Sequence, residues 1–92
     1  MELSPEITKY YTAMRTLSDG RICGVHRLLY HWTMHIDISE WGYEDRYCFA
    51  TEAMAIEAME AWDGNGDPVN WHRHPASGRR RDTVTGEITF NP

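Results

Sequence analysis

The sequence predicts an α+β domain: a three-stranded antiparallel meander with one helix packed on a face and a turn-rich C-terminal tail. Three observations lead there. Residues 21–38, RICGVHRLLYHWTMHIDI, contain no proline and are rich in the β-branched and aromatic residues that fit a pleated sheet. Residues 52–62, EAMAIEAMEAW, carry an apolar helical face behind a threonine that can cap the first turn. After Gly64 the chain fills with turn formers, in NGDP, HPASG and TVTG.

In the central segment Ile22, Leu28, Tyr30, Trp32, Met34, Ile36 and Ile38 fall on even positions, while the odd set turns polar through His31, Thr33, His35 and Asp37. This alternation predicts a strand with one face on a core and the other towards water. A helix with Leu28, Leu29, Trp32 and Ile36 on one side is the competing reading; the lack of Ala, Glu and Lys weighs against it. A straight strand of this length would reach about 60 Å, whereas a domain this size has a radius of gyration of about 12 Å. The ribbon must therefore bend. Gly24 is the expected bulge, with strong twist or an overhanging hairpin as the other way to shorten it.

The flanks follow from local signals. Ser4-Pro5-Glu6 looks like a helix start. Residues 8–16 alternate and run into Ser18-Asp19-Gly20, so they are expected as a strand in a hairpin with the central one. Gly42 suits a second reversal before a third strand near 44–50. Thr51 opens the helix, Glu52, Glu57 and Glu60 occupy its outer side, and Gly64 stops it. Residues 1–68 form the expected core. Residues 69–92 belong to the same domain as a basic, turn-rich segment. It either forms a short hairpin, Arg79–Asp82 with Glu87–Phe90, or wraps the domain irregularly through Trp71 and Phe90.

The net charge of −5 is unevenly spread. Residues 1–62 hold ten acids and five Lys or Arg, whereas Val69 to Arg81 hold four Arg, two His and no acid. An acidic body with one basic strip argues against general nucleic-acid coating and leaves room for a local anion contact. MELSPEITKYY has no apolar core of signal-peptide length and no apolar run approaches a membrane span. A cytoplasmic location, with Cys23 and Cys48 both reduced, is therefore expected.

LSDGRICGVHRLLYHWTMHIDI, then GYEDRYCF, then the Ala- and Glu-rich helix ending AWDG, then GDPVNWHRHPASGRRR, resembles a set of small proteins encoded by tailed phages and prophages. The similarity spans roughly residues 17–81, and HWTMH and WHRHP…GRRR are its most distinctive pieces. The resemblance implies a phage accessory or host-takeover setting inside a bacterial host. It transfers no catalytic residue.

Four chemistries compete for the remaining residues. Cys23, His26 and Cys48 are the best metal candidates, but on a regular strand Cys23 and His26 point to opposite faces, so only a bulge at Gly24 could gather them. His31, His35, Asp37, His74 and Cys48 are reactive types, yet no spacing singles out a nucleophile–base–orienter set. There is no phosphate-cradling glycine loop or other cofactor motif, and the expectation is a non-enzyme. Nucleic-acid binding rests on Trp71, His72, Arg73, His74, Arg79, Arg80 and Arg81, against repulsion from the acidic body. Those arginines could instead dock on Glu52, Glu57 and Glu60. Binding a host or phage protein is the leading expectation, because Trp, Tyr, Met and Arg are abundant and interfaces favour them. Trp41 and Trp71 are the aromatics expected to be exposed, and an edge strand near 8–16 offers a route to a homodimer.

Overall fold

The computed structural model describes residues 3–90 and holds a short helix, α1 (Pro5–Thr8), a ten-residue helix, α2 (Glu52–Ala61), and seven strands. These are β1 (Ala13–Thr16), β2 (Ile22–Leu28), β3 (His31–Ile36), β4 (Asp45–Phe49), β5 (Arg73–His74), β6 (Arg79–Arg81) and β7 (Ile88–Phe90). They form one antiparallel sheet whose spatial order is the chain order, β1 to β7, with β1 and β7 as free edges. The α+β class holds, but three strands become seven. The central segment is not one bent strand: it folds at Leu29-Tyr30 into the β2–β3 hairpin, with Leu28 opposite His31. The C-terminal residues add β5, and the expected short hairpin appears as β6–β7.

The hairpin also corrects the alternation. Cys23 pairs with Ile36 and Val25 with Met34, so the core side of β2 is odd while that of β3 is even. Only the β3 half of the even set faces the core. The helix face of the sheet is formed by Cys23, Val25, Met34, Ile36, Tyr47 and Phe49; with Ala55, Ala58, Met59 and Trp62 of the α2 segment they make the buried core. Small alanines let the helix lie close to the strands, and Met59 and Trp62 fill the margins.

Gly24 is not a bulge but a regular residue opposite Met14 and His35. Tyr11 crosses over it so closely that a Cβ there would sit 2.6 Å from the ring. Glycine is needed for close approach, not for a bend. The bend comes from Leu29, which sits at φ 54.

Helix α2 is secured at both ends. Thr51 accepts from the Met54 amide at 3.1 Å. The last turn contains no basic residue, so the cation comes from the sheet: Arg15 donates through Nη1 to the carbonyls of Met59 and Trp62, each at 2.7 Å. Arg15→Met keeps the aliphatic stem and strands two carbonyls. We expect it to lower the unfolding free energy by about 1.5 kcal/mol, measured by urea denaturation. A loss no larger than at an exposed site would show that the clamp is idle.

Candidate functional site

The basic strip is divided by the sheet. Trp71, expected to be exposed, is 4 % exposed and packs in the core, with the Arg79 guanidinium 4.9 Å above its ring. Arg79 is tied to Asp67 by two bonds of 2.7 and 2.8 Å, which hold the Asp67 carboxyl down to about 2. His74 is buried and bonded to Asp45 at 2.8 Å. These three residues therefore support the fold, and among the described residues no ion pair joins the tail to Glu52, Glu57 or Glu60. Arg73 and Arg80 are exposed and face one another across β5 and β6. Arg81 is half-buried, and Trp41, at 96 % exposure, is as open as expected.

Ser77, His74 and Asp45 have the contacts of a hydrolytic triad: Ser77 Oγ lies 2.8 Å from His74 Nδ1, and His74 Nε2 lies 2.8 Å from Asp45. The hydrogen bonding assigns them another task. The Ser77 amide already donates to Nδ1 at 3.0 Å, which uses that nitrogen's lone pair and withdraws the amide from any oxyanion. Arg79 Nε donates to the serine oxygen at 3.1 Å. The set reads as a lock on the Pro75–Gly78 turn.

The face opposite α2 carries a buried histidine chain. His26 Nδ1 lies 3.0 Å from the Arg27 carbonyl, His26 Nε2 lies 3.2 Å from His35 Nε2, and His35 Nδ1 lies 2.8 Å from the Tyr11 hydroxyl. One proton arrangement satisfies every contact. His26 Nδ1–H donates to the carbonyl, His35 Nε2–H donates to His26, and Tyr11 O–H donates to His35. Both rings are then neutral. Burial, followed by the neighbouring His26 and Arg46, pushes His35 down to about 3, and burial also lowers His26. Desolvation raises Tyr11 to about 12. Tyr43 stacks on His35 at 3.7 Å and Tyr10 tilts over His26 at 4.6 Å, closing the cluster.

The metal trio is not assembled. Cys23 lies on the helix face, whereas His26 and Cys48, each aligned with Thr33, lie on the other. Both thiols are buried and free, and no group of three possible ligands gathers among the described residues.

One end of the sheet brings the expected His31, His72 and Arg81 beside apolar groups that the sequence does not single out. The β2–β3 tip carries Leu29 at 78 % and Tyr30 at 90 % exposure, and the β6–β7 tip carries Val84 at 92 %. A cleft of about 480 Å³ there is lined by Tyr30, His31, Ala50, His72, Arg81 and Thr83, among others. His72 Nδ1 is buried without a hydrogen-bond partner, and burial depresses its basicity. The His72 amide reaches the Cys48 carbonyl, although Cys48 is in register with Arg73. Two residues thus serve one, the mark of a bulge that re-aims a side chain. The available signal was a two-residue connection, Leu-Tyr, without glycine or asparagine.

Comparison with family models, curated proteins and solved structures finds no match to this chain. No described helix is long and apolar enough to cross a membrane.

Proposed function

We propose that the chain is a small non-enzymatic protein of phage accessory type that acts by binding another protein through the Leu29–Tyr30 end of the sheet. One observation carries this reading: Leu29 holds a left-handed backbone while its side chain stands in solvent. A left-handed conformation costs a leucine about 1–2 kcal/mol, and glycine or asparagine would remove the strain. Strain retained where the apolar group packs on nothing points to a use outside the fold. The exposed Tyr30 and the half-buried Arg81 add residue types enriched in binding hot spots, and the exposed Val84 adds apolar surface, around a shallow cleft with an unmet nitrogen on His72. The resemblance to phage-encoded proteins supports a bacterial host protein or a phage protein as the partner.

The test separates stability from binding. Leu29→Gly with Tyr30→Ser is expected to leave the fold intact or stabilise it by about 1 kcal/mol, while abolishing specific capture of a partner from bacterial lysate. Arg73→Ser with Arg80→Ser serves as the comparison and is expected to retain the captured species. Equal capture by wild type and the tip variant would refute the proposal.

A further inference from the structure

Folding segregates charge in a way the linear order conceals. Asp45 is the only carboxylate in any of the seven strands; it lies on the helix face, held by His74. Seven arginines lie in strands. Arg15 and Arg79 are committed to fold contacts. The face opposite α2 gathers three others. Arg46 is in register with His35, Arg73 with Cys48, and Arg80 with Arg73, which places them on adjacent strands β4, β5 and β6. The residues between confirm the grouping, since Arg46 and Arg73 both act on the Cys48 thiol and Arg73 and Arg80 both act on the His72 ring.

No folding term explains this row. Directly opposed like charges destabilise a sheet, and among the described residues none of the three arginines has an ion-pair partner. Carboxylates flank this face only outside the strands: Asp37 follows β3, Glu44 precedes β4, Asp82 is occupied by the amides of Val84 and Thr85, and Glu87 follows the far turn. Adjacent strands are about 4.8 Å apart; Arg73 and Arg80 stand directly opposite one another, and Arg46 is displaced by two residues along β4 from the position facing Arg73, so the three charges run diagonally over neighbouring strands. Beside it lie flat rings: His72, with His31 5.0 Å away, and the exposed Tyr30.

We infer that this face binds single-stranded nucleic acid, with Arg46, Arg73 and Arg80 on successive phosphates and the His31, His72 and Tyr30 rings as stacking partners for bases. Guanidinium forks match phosphate oxygens. Rings at the end of a cationic row distinguish a nucleic-acid strand from an acidic peptide, which offers carboxylates but no bases to stack. An open sheet face without a protruding helix does not suit a duplex groove. The acidic remainder of the molecule confines the contact to this one face. The inference shares Tyr30 and His72 with the protein-binding proposal but rests on different arginines, so Arg73→Ser with Arg80→Ser, which leaves the Leu29–Tyr30 tip intact, tells the two apart.

The experiment is fluorescence anisotropy of the full chain with a short labelled single strand of mixed sequence, as DNA and as RNA, across a salt series. Three phosphate contacts give an expected slope of log K against log salt of about −2. Arg73→Ser with Arg80→Ser is expected to weaken binding by about tenfold or more and bring the slope to about −1. Arg27→Ser, exposed on the opposite face, leaves binding unchanged. Circular dichroism of each variant verifies folding, and Tyr30→Ala, which removes a stacking ring without touching charge, is expected to weaken binding at every salt concentration. The inference is overturned by absence of salt-dependent binding, by equal binding of the arginine variant, or by polyglutamate competing as well as unlabelled single strand.

Discussion

Phe49→Ala is expected to lower the unfolding free energy by about 3–5 kcal/mol. Phe49 has no exposed surface, stands opposite Trp32 across β3 and β4, and belongs to the core beneath α2. Truncation removes the ring's transfer free energy and opens a cavity that the α2 segment cannot fill, because Ala55, Ala58, Met59 and Trp62 are already seated. Domains of this size have about 5–15 kcal/mol in total, so the variant sits near the threshold of folding at ordinary temperature. Urea denaturation of Phe49→Ala beside Val84→Ala gives the contrast, since the exposed Val84 is expected to change stability by no more than about 0.5 kcal/mol. Similar midpoints for the two variants would mean that the core is not where the strand register places it.

The second large effect is a loss of stability in mild acid. His35 and His26 are neutral in the folded chain and have lowered proton affinity, whereas the unfolded chain binds protons at the ordinary histidine value near 6.5. Between that value and about 3 the unfolded state therefore holds more protons, and stability falls as pH falls. It is full above the unfolded pKa and lost progressively through the window. At pH 5 the His35 share alone amounts to about 2 kcal/mol. Protonation also places N–H against N–H at the 3.2 Å contact between the rings and releases the Tyr11 hydroxyl from its acceptor. The Asp67–Arg79 pair follows the same sign but a lower window, because the Asp67 carboxyl is held near 2 and begins to lose its contribution only below about pH 4. Denaturation midpoints between pH 7 and 4.5 thus report the histidines. His35→Gln, which cannot titrate, is expected to flatten that slope whatever it does to the absolute midpoint. An unchanged slope in this variant would exclude the relay as the source.

What the sequence made legible was strongest where one local signal acted alone. Thr51 and the alanine-rich face place α2 to within a residue, although the helix is ended by an extended Trp62 after Ala61 and not by Gly64. The alternation around Trp32, Met34 and Ile36 places β3 on the core. Reading stopped where two signals opposed each other. Leu29-Tyr30 has none of the residues that announce a tight turn, so the hairpin was hidden and one strand was read where two exist. A period carried through that turn then assigned the wrong parity to Cys23 and Val25. Polar, turn-forming residues surround Trp71 in the sequence; it is buried by packing in the core beside Tyr47 with Arg79, tied to Asp67, over its ring, all contacts between residues distant in sequence. Arg46 joined the cationic face only through strand pairing, which composition cannot reveal.

The agreement of sheet order with chain order has a kinetic consequence. Each strand is templated by the one just made, so little loop-closure entropy accumulates before a contact forms, and the long β4–β5 connection is shortened by its own helix. Assembly can spread outward from the middle hairpin in both directions. β7, a fully exposed three-residue edge strand, can fray without unpicking the packed centre.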